Sequence, residues 1–189
     1  LDTVLASFLE TGTLSWLWYS DRLLELPLAI FAIAIATVIL PGLSKDHASS
    51  SPAEFSKTLN WAIRLVLLLG LPATIVLVFL SDALIATLFF YGEMTQRDVD
   101  MSGMALAAYG LGLLGHMLVK VLAPGYFARQ DTSTPVRYGV IALVSNMVLN
   151  MLLIWHLKHA GLALATSISA FINAALLFYG LRKSGVLVL

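Results

Sequence analysis

Cysteine is absent from all 189 residues, which excludes a disulfide framework, a thiol nucleophile and a thiolate metal site. Charge is scarce. Only 12% of residues are Asp, Glu, Lys or Arg, against about 25% in a soluble domain. The 11 basic and 11 acidic side chains cancel, so no basic surface points to nucleic acid, and none is expected as a partner. The two-residue alternation of a membrane β-barrel is missing, as are HExxH, GxSxG and a phosphate-cradling glycine loop. His156 and His159 flank a turn but lack two further ligands at zinc-like spacing, so no metal site is expected. Nothing assembles a nucleophile, a base and an orienting group; neither an enzyme nor a cofactor is expected.

What remains is apolar. Hydrophobic residues make up 59% of the chain and the mean hydropathy is +0.90, the composition of an integral membrane protein. The chain is organised around residues 16–41, WLWYSDRLLELPLAIFAIAIATVILP. As one helix this stretch is about 39 Å long at ~1.5 Å per residue. That crosses a hydrocarbon core of about 30 Å with some tilt. Trp16, Trp18 and Tyr19 suit the interfacial aromatic belt. Asp21, Arg22 and Glu25 then lie a turn or two inside the membrane, within about 100° of arc on one helix face. A charge at mid-bilayer costs at least ~2.5–3.5 kcal/mol, so this face is expected to line protein or a watery cavity. Two readings stay open: a functional cavity charge, or an ion-pair cluster that only holds helices together.

Around this helix the chain divides by hydropathy. Residues 1–9 read as the end of a helix begun upstream, in a chain that opens inside an apolar pattern and without Met. Glu10 to Thr13 form a turn with Gly12 as breaker. After a polar connection at 44–60, Ser51 is placed as N-cap and Pro52 as the first residue of a helix that runs to Leu80, interrupted by Pro72. Further spans cover 101–123, 138–155 and 162–181, the first ended by Pro124 and Gly125. The loop at 126–137 and the turn at 156–161 connect them. The expectation is an all-α polytopic bundle of five full spans plus the end of a sixth. Lys45, Lys57, Arg64, Arg129, Arg137, Arg182 and Lys183 fall at one side, with Lys120 near it. Only Arg97 and Lys158 fall at the other. The first side is therefore cytoplasmic.

Secondary candidates are weaker. His116 and Lys120, four apart, share a face and would line a pathway or gate; alternatively Lys120 snorkels to the surface and His116 bonds a neighbouring helix. Ala108 and Gly112 permit close helix packing. Asn146, Asn150 and Asn173 fit interhelical hydrogen bonding, worth ~0.6 kcal/mol on average.

The runs DTVLASFLETGTLSWLWYSDRLLELP, LPGLSK, FFYGEMTQRD, KVLAPGYFARQDTSTPVR and LKHAGLALATSISAFINAALLFYGLRK together resemble the MurJ (MviN) family of lipid II flippases. This family belongs to the multidrug/oligosaccharidyl-lipid/polysaccharide exporter superfamily. The resemblance covers essentially the whole chain, with YSDRLLELP and APGYFARQDTSTPVR its most specific parts. It implies fourteen helices in two lobes around a cationic cavity. On that comparison residues 1–189 are the second lobe, from the end of helix seven to helix twelve, with the first lobe and the last two helices lying elsewhere. It also implies a location in the bacterial cytoplasmic membrane. The implied substrate is lipid II, the undecaprenyl-pyrophosphate glycopeptide of peptidoglycan synthesis, moved by alternating access. Arg22 matches a cavity arginine required in the family, and Asp21 and Glu25 are its charged neighbours. Membrane lipids and the first lobe are the implied partners, and an ion gradient or membrane potential the driving force, the coupling ion being unspecified. The alternative is a related exporter of another lipid-linked oligosaccharide or of drugs.

Overall fold

The computed structural model describes residues 10, 12–49 and 51–187; the expected helix end at 1–9 lies outside them. The described residues are almost all helical, with no strand among them. Helix α1 spans Thr13–Ala48, α2 Pro52–Phe79, α3 Ser81–Phe89, α4 Gln96–Phe127 and α5 Ser133–Lys183. Four of these, all but the short α3, are long and apolar enough to cross a membrane. The fifth span is folded into α5. At Lys158 the backbone leaves helical geometry, with φ 47° and ψ −125°. The two limbs then run antiparallel: Asn146 Nδ2 donates to Thr166 Oγ1 at 3.3 Å, a pair that ~1.5 Å per residue would hold about 30 Å apart in a straight helix. The reversal expected at 156–161 is therefore present, and five spans result.

Helix α4 is the centre. It touches every other described helix and buries Leu106, Leu113, Met117, Val121 and Leu122 almost completely. Its glycines make this possible. A Cβ on Gly103 would collide with the Asp82 carboxylate of α3, and one on Gly110 would stand 3.0 Å from Leu77 Cβ of α2. At Gly112 it would stand 2.5 Å from Ser167 Cα, and at Gly115 3.0 Å from the Phe171 nitrogen, both in the second limb of α5. The pattern of small residues thus lets three neighbours approach one backbone. Close approach is expected at Ala108 and Gly112 and is found there, where Ser167 Oγ also donates to the Ala108 carbonyl at 2.6 Å. At Gly139, in the first limb of α5, an added methyl group would meet nothing within 4 Å. Gly139→Ala is expected to raise stability by about 0.5–1 kcal/mol through lost unfolded-state freedom, read as a higher Tm in detergent.

Several boundaries differ from the sequence expectation. Proline does not end spans here. Helix α1 runs on through Pro41 to Ala48, α4 runs through Pro124 to Phe127, and α2 passes Pro72 without interruption. Neighbouring helices and local adjustments absorb the lost hydrogen bonds of proline inside membrane helices. Directly after Pro27, residues Leu28–Ile33 form a wide π-helical segment. The loop at 126–137 shrinks to 128–132, where Gln130 takes φ 59° and Asp131 Oδ1 accepts from Thr134 N at 3.0 Å. Ser51 and Pro52 do begin α2, but the Ser51 side chain makes no capping bond.

Candidate functional site

The outer half of α1 has two faces. Trp16, Leu17, Ser20, Leu23 and Leu24 are buried against the bundle. Asp21, Arg22 and Glu25 point the other way and are exposed. Arg22 Nη1 donates to Glu25 Oε2 at 2.8 Å, with the two side chains 55% and 52% exposed. The Arg22 guanidinium also lies 5.2 Å from the centre of the Trp18 ring, an attraction that persists when the carboxylate lets go. Trp18 stacks edge-on with Tyr19, and Tyr19 packs on Phe89 of α3. The guanidinium therefore stands at the head of an aromatic row, facing away from the core of the bundle.

Glu25 carries the ion pair, while Asp21 is within electrostatic range of Arg22, Glu25 and His116. That brings α4 to the site. His116 Nδ1 lies 2.8 Å from the Gly112 carbonyl oxygen; a carbonyl only accepts, so Nδ1 carries the hydrogen. His116 thus bonds its own helix, not a neighbouring one. Lys120, one turn on, is exposed and lies within electrostatic range of His116. Asp21 and His116 are thus within electrostatic range of each other, with no hydrogen bond or ion pair between the two candidate groups among the described residues.

The aromatic cluster splits. Trp18 serves Arg22, but Trp16 is 4% exposed and no belt residue. Its Nε1 donates to Asp98 Oδ1 at 2.7 Å, and its ring meets His159 edge-on at 5.3 Å. Asp98 completes a reciprocal cap with Thr95 at the start of α4: Thr95 N donates to Asp98 Oδ2 at 2.8 Å, and Asp98 N to Thr95 Oγ1 at 3.3 Å. Glu10 accepts from Arg97 at 2.8 Å and from Lys158 at 2.5 Å. Both cations assigned to the outer side therefore meet one carboxylate, tying α4 to the turn of α5. The Thr-x-x-Asp spacing at 95–98 is the signal from which this cap is readable; the long-range partners have no local signature.

The Lys158 hydrogen bond and charge hold the Glu10 carboxyl below its ordinary value of 4.5. A depressed folded value means that the pair stabilises above about pH 4.5 and is lost as pH falls through the folded value. Glu10→Gln is therefore expected to lower Tm at neutral pH, by the modest amount an exposed pair supplies, with the gap closing in acid. A Tm series from pH 7 to 3 in detergent checks this; a gap constant with pH removes the pairing as its cause.

Asn146 and Asn150 behave as packing groups. Asn150 Nδ2 donates to Asn146 Oδ1 at 3.1 Å, and Asn146 reaches across the hairpin to Thr166. Asn173 differs, since its buried Oδ1 finds no partner among the described residues.

A bundle of apolar spans with an exposed charged face on one side defines a polytopic membrane protein. Its relatives narrow this. The family model described as "Lipid II flippase MurJ" matches residues 1–188, and the chain belongs to that family. A relative named "Probable lipid II flippase MurJ" from Vibrio cholerae is 55% identical over 185 residues, 98% of this chain and 35% of the relative. One named "Lipid II flippase MurJ" from Burkholderia cenocepacia is 42% identical over 186 residues, 98% and 36% of the two chains. The solved structure "Lipid II flippase MurJ, inward closed conformation" aligns with a TM-score of 0.89 at 30% identity, covering 96% of this chain and 38% of that one. A multidrug-resistance MATE transporter of the MOP superfamily aligns at 0.68 with 20% identity, covering 95% and 40%, a likeness of fold alone. The chain spans about a third of the length of the relatives it matches. It is a multi-pass protein of the cytoplasmic membrane.

Proposed function

We propose that residues 1–189 form the second lobe of a lipid II flippase and contribute Arg22 to a cavity shared with a first lobe. The carrying observation is the placement of Arg22. Its guanidinium stands on the uncovered face of α1, oriented by Glu25 and Trp18. Undecaprenyl pyrophosphate bears concentrated negative charge that must cross a medium of low dielectric. A planar, permanently charged guanidinium pairs with phosphate through two parallel hydrogen bonds. In this reading Glu25 occupies Arg22 when no substrate is bound and yields to the pyrophosphate. Asp21 keeps the surrounding field balanced, and His116 with Lys120 lies further along the same path towards the cytoplasm. The Leu28–Ile33 segment lets the charged outer half of α1 tilt while the inner half stays packed. The activity is transport, with no catalytic step assigned.

The test is rescue of cells depleted of their own flippase by the full-length protein. Growth is expected to return, and lipid II to become accessible to an externally added cleaving enzyme. Full expression in the membrane without growth, and with lipid II held inside, overturns the assignment.

A further inference from the structure

At the cytoplasmic end, where α1 meets α2 and the loop after α4 meets the end of α5, lies a cavity of about 250 Å³. It lies at the opposite end of the bundle from the Glu10 cluster and takes no part in the Arg22 site. Its lining carries one charge of each sign, Arg129 and Asp46. Each is held by a hydroxyl rather than by the other. Arg129 Nη1 donates to Ser184 Oγ at 3.3 Å, and Asp46 Oδ2 accepts from Thr58 Oγ1 at 3.0 Å. Two opposite charges that line one space without neutralising each other are matched by a ligand that is itself dipolar. The remaining wall is mixed: His47, Ser51 and Ser184 are polar, while Phe55, 3% exposed, and Val186 supply its apolar part. Helix α2 starts at the same wall, with Pro52 first and no side chain capping it, and Ser51 N donates to the Asp46 carbonyl at 3.0 Å.

We propose that this cavity binds the headgroup of a zwitterionic phospholipid of the cytoplasmic leaflet, a phosphate diester carrying a primary ammonium. Arg129 takes the phosphate through its planar fork, and Asp46 takes the ammonium through its N–H donors. Phe55 and Val186 meet the glycerol and the first methylenes. The choice of lipid follows from Asp46. A glycerol headgroup satisfies Arg129 but gives the carboxylate no cation, and a choline headgroup brings a cation without N–H donors. The position at the lysine- and arginine-rich end of the bundle places the cavity at headgroup depth on the cytoplasmic side. A lipid there would pin the α1–α2 connection to the end of α5.

The experiment is native mass spectrometry of the full-length protein with phosphatidylethanolamine, phosphatidylglycerol and phosphatidylcholine offered in equal amounts. Phosphatidylethanolamine is expected to be retained preferentially. Asp46→Asn is expected to reduce its retention about tenfold relative to wild type and leave phosphatidylglycerol unchanged, while Arg129→Gln reduces both. Thr58→Val controls for structure: it removes the hydroxyl that holds Asp46, and is expected to share any loss of Tm while keeping the lipid preference. Millimolar glycerophosphoethanolamine is expected to leave the adduct in place; its displacement by that soluble headgroup overturns the lipid assignment. Equal retention of the three lipids by wild type, or unchanged retention in both charge variants, overturns the site.

Discussion

Arg22→Ala and Arg22→Lys, each placed in the full-length protein, are both expected to abolish rescue of flippase-depleted cells at normal membrane abundance. The alanine removes the guanidinium outright. Hydrogen bonds to charged groups are worth about 1.5–3 kcal/mol each, so removing both prongs of the fork costs on the order of a hundredfold or more in pyrophosphate affinity. The lysine keeps the charge but replaces a planar fork with a point charge on a flexible stem. It also gives up the stacking over Trp18 that orients Arg22. Stability separates this loss from misfolding. The Arg22–Glu25 pair is more than half exposed, and such pairs contribute at most about 1 kcal/mol, so both variants are expected to melt within a degree or two of wild type. Rescue by lysine alone would retain a cationic cavity and remove the demand for the fork. Rescue by both would leave Arg22 a local ion pair that only holds its helix, and the proposed mechanism would fall with it.

How far the sequence foretells this bundle depends on which interaction decides each feature. Spans follow from hydropathy, a sum over many residues, so the five membrane crossings are legible, including the reversal at Lys158 that the backbone makes without a glycine. Boundaries are not, because Pro41 and Pro124 act locally as breakers while the packed neighbours keep the helix going. Asp21, Arg22 and Glu25 are legible as one face because 3.6-residue periodicity fixes their direction. That Glu25, and not Asp21, holds the guanidinium depends on rotamers. Trp16 shows the limit most clearly. Its type and depth suit an interfacial belt, yet Asp98, 82 positions away, accepts its N–H, and no local pattern encodes that meeting. The glycines of α4 are readable as small residues but ambiguous between bending and packing; the proximity of Asp82, Leu77 and Ser167 decides for packing.

Gly112→Leu is expected to be the most damaging single substitution for the fold. A Cβ at Gly112 would sit 2.5 Å from both Ser167 Cα and Ser167 Oγ, and the former is backbone that cannot rotate aside. Helices in a membrane gain nothing from hydrophobic exclusion of lipid and depend on this kind of close packing. Overpacking costs about 1–3 kcal/mol where a core can adjust and more where it cannot; here α4 and α5 must separate. Separation also breaks the Ser167–Ala108 hydrogen bond at 2.6 Å and shifts the Gly112 carbonyl that anchors His116. Ser167→Ala supplies the comparison, since it deletes that hydrogen bond and leaves the space, at a cost of about 0.6 kcal/mol. The expected order of Tm in detergent is wild type, then Ser167→Ala slightly lower, then Gly112→Leu far lower or without folded protein. If Gly112→Leu melted with Ser167→Ala, the two helices would not be in backbone contact at this point. The packing that brings His116 within electrostatic range of Asp21 would then need another cause.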